Sequence, residues 1–286
     1  MTRSSTFEQY SARIEKVVAF MSARLDQPLT LPQLAQVGHF SPFHFHRVYR
    51  GLMGETIAST QRRLRLHRAA HELLTTQRGI AQIATRAGYA SVAAFTRAFG
   101  ATYGRAPAAF RNRRASLPAL NGAIFDPTLE SLMYDAKIST LAPVRAIALP
   151  HRGDYEAIGQ TFEQLYGWAG ATGLLRDDTR CFGLYYDSPA DTPKEQLRSD
   201  ACLALPADSK PGDGMRWLEI AGGRHAVVLH TGPYAELPRA YDWLFGQWLP
   251  SSGEEAGDAP VYEDYLNDPS QLPPEQWQTL ICLPLK

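Results

Sequence analysis

Apolar residues recur at helical spacing through the first hundred residues. In 6–26, Ile14, Val17, Val18, Met21 and Leu25 fall on one face, which predicts one amphipathic helix. Thr30 before Leu31 and Pro32 suits an N-cap and first turn. A short helix follows with Leu34, Ala35 and Val37, and Gly38 is expected to make the tight turn. Ser41 and Pro42 mark the start of a second helix, in which Phe45 and Tyr49 lie four apart on the buried stripe. Phe43, His46, Arg47 and Arg50 then point away from that stripe. Small helix, glycine turn and second helix together predict a helix-turn-helix.

The pattern returns fifty residues later. "FHRVYRGLMG", 45–54, and "FTRAFGATYG", 95–104, share Phe-x-Arg-x-aromatic and a closing Gly. In the second copy Ile80, Ile83, Ala84 and Ala87 form the first helix, Gly88 turns, and Ser91 caps the second helix. Phe95 and Phe99 take its buried stripe, and Thr96 and Arg97 stand at the positions of His46 and Arg47. Residues 55–76 contain no Pro or Gly, which predicts a connecting helix. Two such units on one chain would read grooves about one DNA turn, roughly 34 Å, apart.

Beyond residue 130 the periodicity changes, and here too the chain repeats itself. "RAIALPHRGDYEAIGQTFEQLYGWAG", 145–170, and "HAVVLHTGPYAELPRAYDWLFGQWL", 225–249, both run apolar strand, His-x-Gly-x-Tyr, amphipathic helix. Each is followed by a return strand, "CFGLYYDSP" or "YEDYLNDP", and a short apolar strand, "ACLALP" or "LICLPL". Two similar strand-helix-strand repeats around a groove, with antiparallel strands, are expected. Side chains alternate along a strand. Glu263 therefore shares a face with Tyr265, and Gly183 with Tyr185, and the repeat aligns Tyr185 with Tyr265. A carboxylate among aromatic faces suits a cation, although Glu263 could instead be solvated or paired with an arginine. His151 and His230 read as residues that hold the turn.

Charge sharpens the division. The 286 residues carry no net charge, yet residues 1–114 hold 17 Lys plus Arg against 5 Asp plus Glu. Residues 115–286 hold 12 against 24, so the halves stand at +12 and −12. A basic half of this kind faces a polyanion or simply presents a basic surface. Sixteen of its seventeen positive residues are Arg, which suits forked contacts to phosphates and guanine edges. The cysteines Cys181, Cys202 and Cys282 are isolated in apolar runs, without metal-ligand spacing, and read as reduced core thiols. No apolar run approaches the roughly 18 residues of a membrane span, and the N-terminus lacks a signal core, so a cytoplasmic protein is expected.

Residues from about 10 to 114, above all "AGYASVAAFTRAFGATYGRAPAAFR", resemble the DNA-binding domain of AraC/XylS-type transcription regulators. The resemblance implies that Phe43, His46, Arg47 and Arg50 face DNA from the first recognition helix. From the second it implies Ala93, Ala94, Thr96 and Arg97, where the two alanines offer only methyl contacts. Arg62, Arg63, Arg65, Arg105, Arg111, Arg113 and Arg114 are expected to touch phosphates or to be solvated. The C-terminal half, through its G-x-Y turns, "YYDSP" and "E-x-Y-L-x-D-P", resembles the GyrI-like effector-binding domain of Rob-like and multidrug-sensing regulators. That resemblance implies a hydrophobic or cationic effector bound by Glu263, with Tyr185, Tyr265 and Trp217 as aromatic walls. The expected organisation is an all-α DNA-binding domain over 1–114 with tandem helix-turn-helix motifs, a linker over 115–130, and an α+β effector domain over 131–286. Double-stranded DNA, a small-molecule effector and RNA polymerase are the implied partners, with no cofactor, metal or membrane. Two rival readings are a GyrI-like hydrolase using Glu263 as acid or base and a DNA-repair sensor using a reactive cysteine. No nucleophile–base pair is evident, and the N-terminal half has no cysteine.

Overall fold

The computed structural model describes residues 3–112 and 134–286. The expected linker, with Arg113 and Arg114, lies outside the described residues but for its neighbours. The N-terminal region is helical: α1 (Arg3–Ser22), α2 (Leu31–Val37), α3 (Phe45–Met53), α4 (Ile57–Thr75), α5 (Ile80–Arg86), α6 (Val92–Tyr103) and α7 (Pro107–Arg111). Local chemistry explains the ends. Thr30 and Gln33 form a reciprocal capping box on α2. Thr56 and Ser91 accept from the Ser59 and Ala94 amides at the starts of α4 and α6. Gly54 and Gly104 close α3 and α6 in left-handed conformation, φ 66° and 71°.

Two details of the first helix pair differ from expectation. The left-handed residue of its turn is His39, φ 54°, whereas Gly38 is right-handed at φ −83°. Gly38 is needed for space: a Cβ there would lie 2.6 Å from the Phe40 ring. The helix also begins later than Ser41–Pro42 suggest, since a turn intervenes and α3 starts at Phe45. Phe43 therefore precedes the recognition helix rather than standing on it. At the second pair Gly88 does take the left-handed turn, φ 83°.

The C-terminal region is α+β. Its elements are β1 (Ala136–Leu141), β2 (Val144–Arg152), α8 (Ile158–Ala171), β3 (Cys181–Tyr185), β4 (Arg198–Leu203), β5 (Arg216–Ile220), β6 (Gly223–Thr231), α9 (Leu237–Trp243), a π-helical turn at Leu244–Trp248, α10 (Leu249–Ser252), β7 (Tyr262–Tyr265) and β8 (Gln278–Pro284). Eight strands form one antiparallel sheet in the order β1-β6-β8-β7-β3-β4-β2-β5. The central pair is β3 with β7, one strand from each half, with Gly183 opposite Glu263. One face carries Phe182, Leu184, Cys202 and Tyr262 in an apolar cluster. On the other face α8 packs over Ile147, Ala201 and Leu203, while Leu237 and Ala240 of α9 join Ala226 and Val228.

The cores divide unequally. Leu66, Leu73, Ile83, Phe95, Phe99 and Phe110 enclose a separate cluster around α5, α6 and α7. The residues of α1, α2 and α3, by contrast, share one cluster with α9, α10, β6 and β8. The first helix pair is thus packed onto the C-terminal region, and the second has a core of its own.

Candidate functional site

Alternation along the two central strands aims Glu263 and Tyr265 of β7 and Tyr185 of β3 to the face that carries α8 and α9. Glu263 is 4% exposed. Its two carboxylate oxygens each accept one hydroxyl: Tyr241 donates to Oε1 and Tyr265 to Oε2, both at 2.9 Å. The Tyr265 and Tyr185 hydroxyls are 2.8 Å apart. Phe162 of α8 meets Tyr265 edge-on, Tyr234 meets it from the turn before α9, and Tyr155 meets Tyr185 from the turn before α8. The result is a carboxyl at the centre of the sheet inside an aromatic box assembled from both halves.

Gly183 is what makes room for it. A Cβ there would stand 2.7 Å from the Tyr265 hydroxyl and 2.8 Å from the Tyr185 ring. Burial raises the Glu263 carboxyl from 4.5 to about 7, against the hydroxyl bonds from Tyr241 and Tyr265 and the nearby charge of Arg47. Burial, and next the Glu263 charge, push Tyr185, Tyr241 and Tyr265 well above the usual phenol range. They therefore stay protonated and act as donors.

The structure brings Glu263, Tyr185 and Tyr265 together. It does not bring Trp217 to them. Trp217 stands opposite Ile147 in the β2–β5 pairing, packs against the cluster under α8, and carries the Arg145 guanidinium 4.0 Å above its ring. It stands half-buried at that cluster, apart from Glu263. The aromatic residues around Glu263 are instead Tyr241, Tyr155, Tyr234 and Phe162. The i, i+4 pair Tyr241 and Phe245 was visible in the helix pattern, but nothing in the sequence tied it to Glu263. His151 bonds Thr161 and the Asp154 carbonyl, and His230 bonds Tyr134 and the Pro233 carbonyl, so both hold their turns.

The first recognition helix lies against this same site. The Arg47 guanidinium sits 4.8 Å from the centre of the Tyr241 ring and 5.6 Å from that of Phe245. Its charge acts on Glu263, Tyr241 and Tyr155. Phe43 is 6.2 Å from Tyr186, and His44 bonds the Ala259 carbonyl at 2.9 Å while stacking on Phe245. Arg50 approaches Asp242 at 3.6 Å. His46, expected to point away from the core, is 1% exposed. Helix and π turn touch backbone to backbone: a Cβ on Gly51 would lie 2.3 Å from the Gly246 Cα. In the conformation described, Phe43, His44, Arg47 and Gly51 therefore face the C-terminal region, because that side of α3 is its docking surface, while His46 is buried.

The corresponding helix of the second pair, α6, is open. Ala93 and Arg97 are exposed, and Ala94 and Thr96 are half-buried. Several arginines expected at phosphates have internal work instead. Arg63 forks onto Glu55, Arg65 donates to the Leu25 carbonyl, and Arg111 donates to the Arg78 carbonyl. Arg62 and Arg105 are exposed. Among the described residues there is no cluster of potential metal ligands, and no helix is long and apolar enough to cross a membrane. Cys181, Cys202 and Cys282 are free thiols in strands, and burial raises all three.

Residues 135–286 match the model of the GyrI-like small molecule binding domain, and residues 34–113 match that of a helix-turn-helix domain. The first match spans more than half of the chain, and the protein belongs to the GyrI-like family. Its helix-turn-helix region is of the AraC type, which makes the chain an AraC-type transcription regulator with a GyrI-like small-molecule-binding domain. It is similar to the "Probable transcriptional regulator YgiV" of Escherichia coli (strain K12), 28% identical over 160 residues, 55% of this chain and 99% of that one. It is also similar to the regulatory protein SoxS of the same strain, 34% identical over 100 residues, 35% of this chain and 94% of that one. Among solved structures, a cryo-EM structure of an EcmrR–DNA complex aligns with a TM-score of 0.48 at 21% identity, covering 54% of this chain and 57% of that one.

Proposed function

We propose that the protein binds duplex DNA through two helix-turn-helix units and senses a small cationic or hydrophobic effector at Glu263. The observation that carries the sensing half is the buried carboxyl bonded by Tyr241 and Tyr265 within an aromatic box. Burying a carboxyl is costly without a partner. A cation supplies that partner through charge and through the ring faces. On the DNA side, the reading assigns α2–α3 and α5–α6 as tandem units within a domain ending near residue 114. Arg97 with Ala93, Ala94 and Thr96 reads one groove, and Arg47 with Phe43, His46 and Arg50 reads the next. RNA polymerase is the partner that a regulator's output implies.

The DNA half is tested by selecting bound sites from a random duplex pool with the full chain. Two half-sites about one helical turn apart are expected, and Arg97→Ala should relax one base position at roughly 1–3 kcal/mol. Recovery of no preferred sequence would refute it. For the sensing half, calorimetry with benzamidinium should give binding that Glu263→Gln weakens at least about tenfold. Equal affinity for both proteins would refute that half. A carboxyl near neutral also suits acid–base chemistry, so the same incubation checks the hydrolase reading: ester analogues of the probe should be recovered intact.

A further inference from the structure

We infer that Arg47 is a built-in occupant of the effector site, and that a cationic effector acts by displacing it and freeing α3 for DNA. This rests on both the DNA-binding and the sensing reading above and adds the means by which the two sites compete.

The placement of Arg47 is that of a ligand. Its guanidinium lies over Tyr241 and Phe245, and Tyr241 is the residue that donates to Glu263 Oε1. Tyr155, from the other half of the domain, feels the same charge. An arginine from a different domain thus fills the position where a planar cation would stack between the two halves.

The surfaces are shaped for this contact. Gly51 and Gly246 meet with no side chain on either, and a Cβ on Gly246 would lie 2.9 Å from the Gly51 Cα. Position 101, which matches Gly51 in the second unit, is Ala and exposed. Glycine thus stands where the helix docks, and alanine stands at the matching position of the undocked unit.

The contact is also incomplete. Arg47 Nη1 and both ring nitrogens of His46 are buried with no hydrogen-bond partner among the described residues. A buried polar group without a hydrogen-bond partner costs stability, so these atoms weaken the docked contact even though the Arg47 guanidinium keeps its ring faces. A ligand that carries its own charge and donors to Glu263 can satisfy the site better than this arginine does. On DNA, Arg47 and His46 would find phosphate and base-edge partners. One side chain cannot fill both positions, so the docked and DNA-bound states exclude each other. An effector that fits only the vacated site must shift the balance. The chemistry that best replaces a guanidinium over a tyrosine, beside a carboxyl, is a planar aromatic cation such as an amidinium.

The test uses the full chain and a fluorescent duplex carrying the selected half-sites. Anisotropy is measured for wild type and for Gly246→Ala, with benzamidinium, and with neutral benzyl alcohol as the control. Gly246 is in the effector domain and touches no DNA in the proposed complex. Its alanine variant should bind the duplex about tenfold tighter than wild type, with no further gain from benzamidinium. Wild type should tighten with benzamidinium and not with benzyl alcohol. Gly51→Ala makes the same clash from the other side, in case Gly246→Ala does not fold, which a melting scan shows. Equal wild-type and variant affinities, with no response to benzamidinium, would overturn the inference while leaving the regulator intact. If none of the chains enriches a DNA sequence, the DNA-binding reading falls first and takes this inference with it.

Discussion

Glu263 is the residue whose surroundings say most. Its folded value of about 7 lies above the 4.5 of a free carboxyl. Between these values the folded chain holds a proton that the unfolded chain has released. Stability from this group is therefore complete below about pH 4.5 and is lost as pH rises through about 7, at up to about 1.4 kcal/mol per pH unit. Glu263→Gln removes the slope, so the stability advantage of wild type over the variant should shrink from pH 5 to pH 8. Urea denaturation at the two pH values measures it, and a constant difference would contradict the assignment. Gly183 supplies a second check. Gly183→Ala should force the Tyr185–Tyr265 pair apart and weaken benzamidinium binding several-fold, with DNA affinity of the Gly246→Ala background unchanged. Period-two alternation in the sequence was enough to put Glu263, Tyr185 and Tyr265 on one face. It could not find Tyr241, because the meeting of α9 with β7 depends on how the helix lies over the sheet. Trp217 was misplaced for the same reason: strand alternation does not say which end of a wide sheet a residue occupies.

At the scale of elements, caps and breakers were legible because their chemistry is local. Thr30, Ser91, Gly54, Gly88 and Gly104 do what their types suggest. Gly38 and His39 exchange roles because the packing of Phe40, invisible in the sequence, decides which of them needs a missing side chain. The burial of His46 was hidden in the same way. A polar residue off the apolar stripe reads as exposed unless a second surface covers it. Burial first, with the charge of Arg47 next, lowers His44 to about 3 and puts His46 well below its ordinary value. Both groups take up protons in the unfolded chain first. The folded chain therefore keeps their full contribution above about pH 6.5 and loses it as the pH falls below that value. Hydrogen exchange of α3 should accelerate between pH 6.5 and 5, after correction for the intrinsic rate, and His46→Gln should blunt the change. An unchanged protection factor would contradict it.

For the whole molecule, the +12 and −12 halves were a sequence observation, but their meaning was not. Four arginines of the N-terminal region, Arg63, Arg68, Arg78 and Arg86, pair with Glu55, Glu72 and Asp26 inside that region. What joins the regions is mainly apolar packing of α1 onto α10 and of α3 onto α9 and the π turn, with Arg47 at its edge. The exposed Arg50–Asp242 pair adds little, since such pairs are worth about 0–1 kcal/mol. Docking should accordingly survive moderate salt, whereas DNA binding should weaken steeply with it. The two helix pairs are thus unequal: α5–α6 is open, and α2–α3 is held by the C-terminal region. The most direct measurement is amide hydrogen exchange over Tyr241–Trp248, a segment no DNA would touch, with and without the selected duplex. Duplex binding should strip protection from this segment as α3 leaves it; protection that stays the same or rises on DNA would contradict the account.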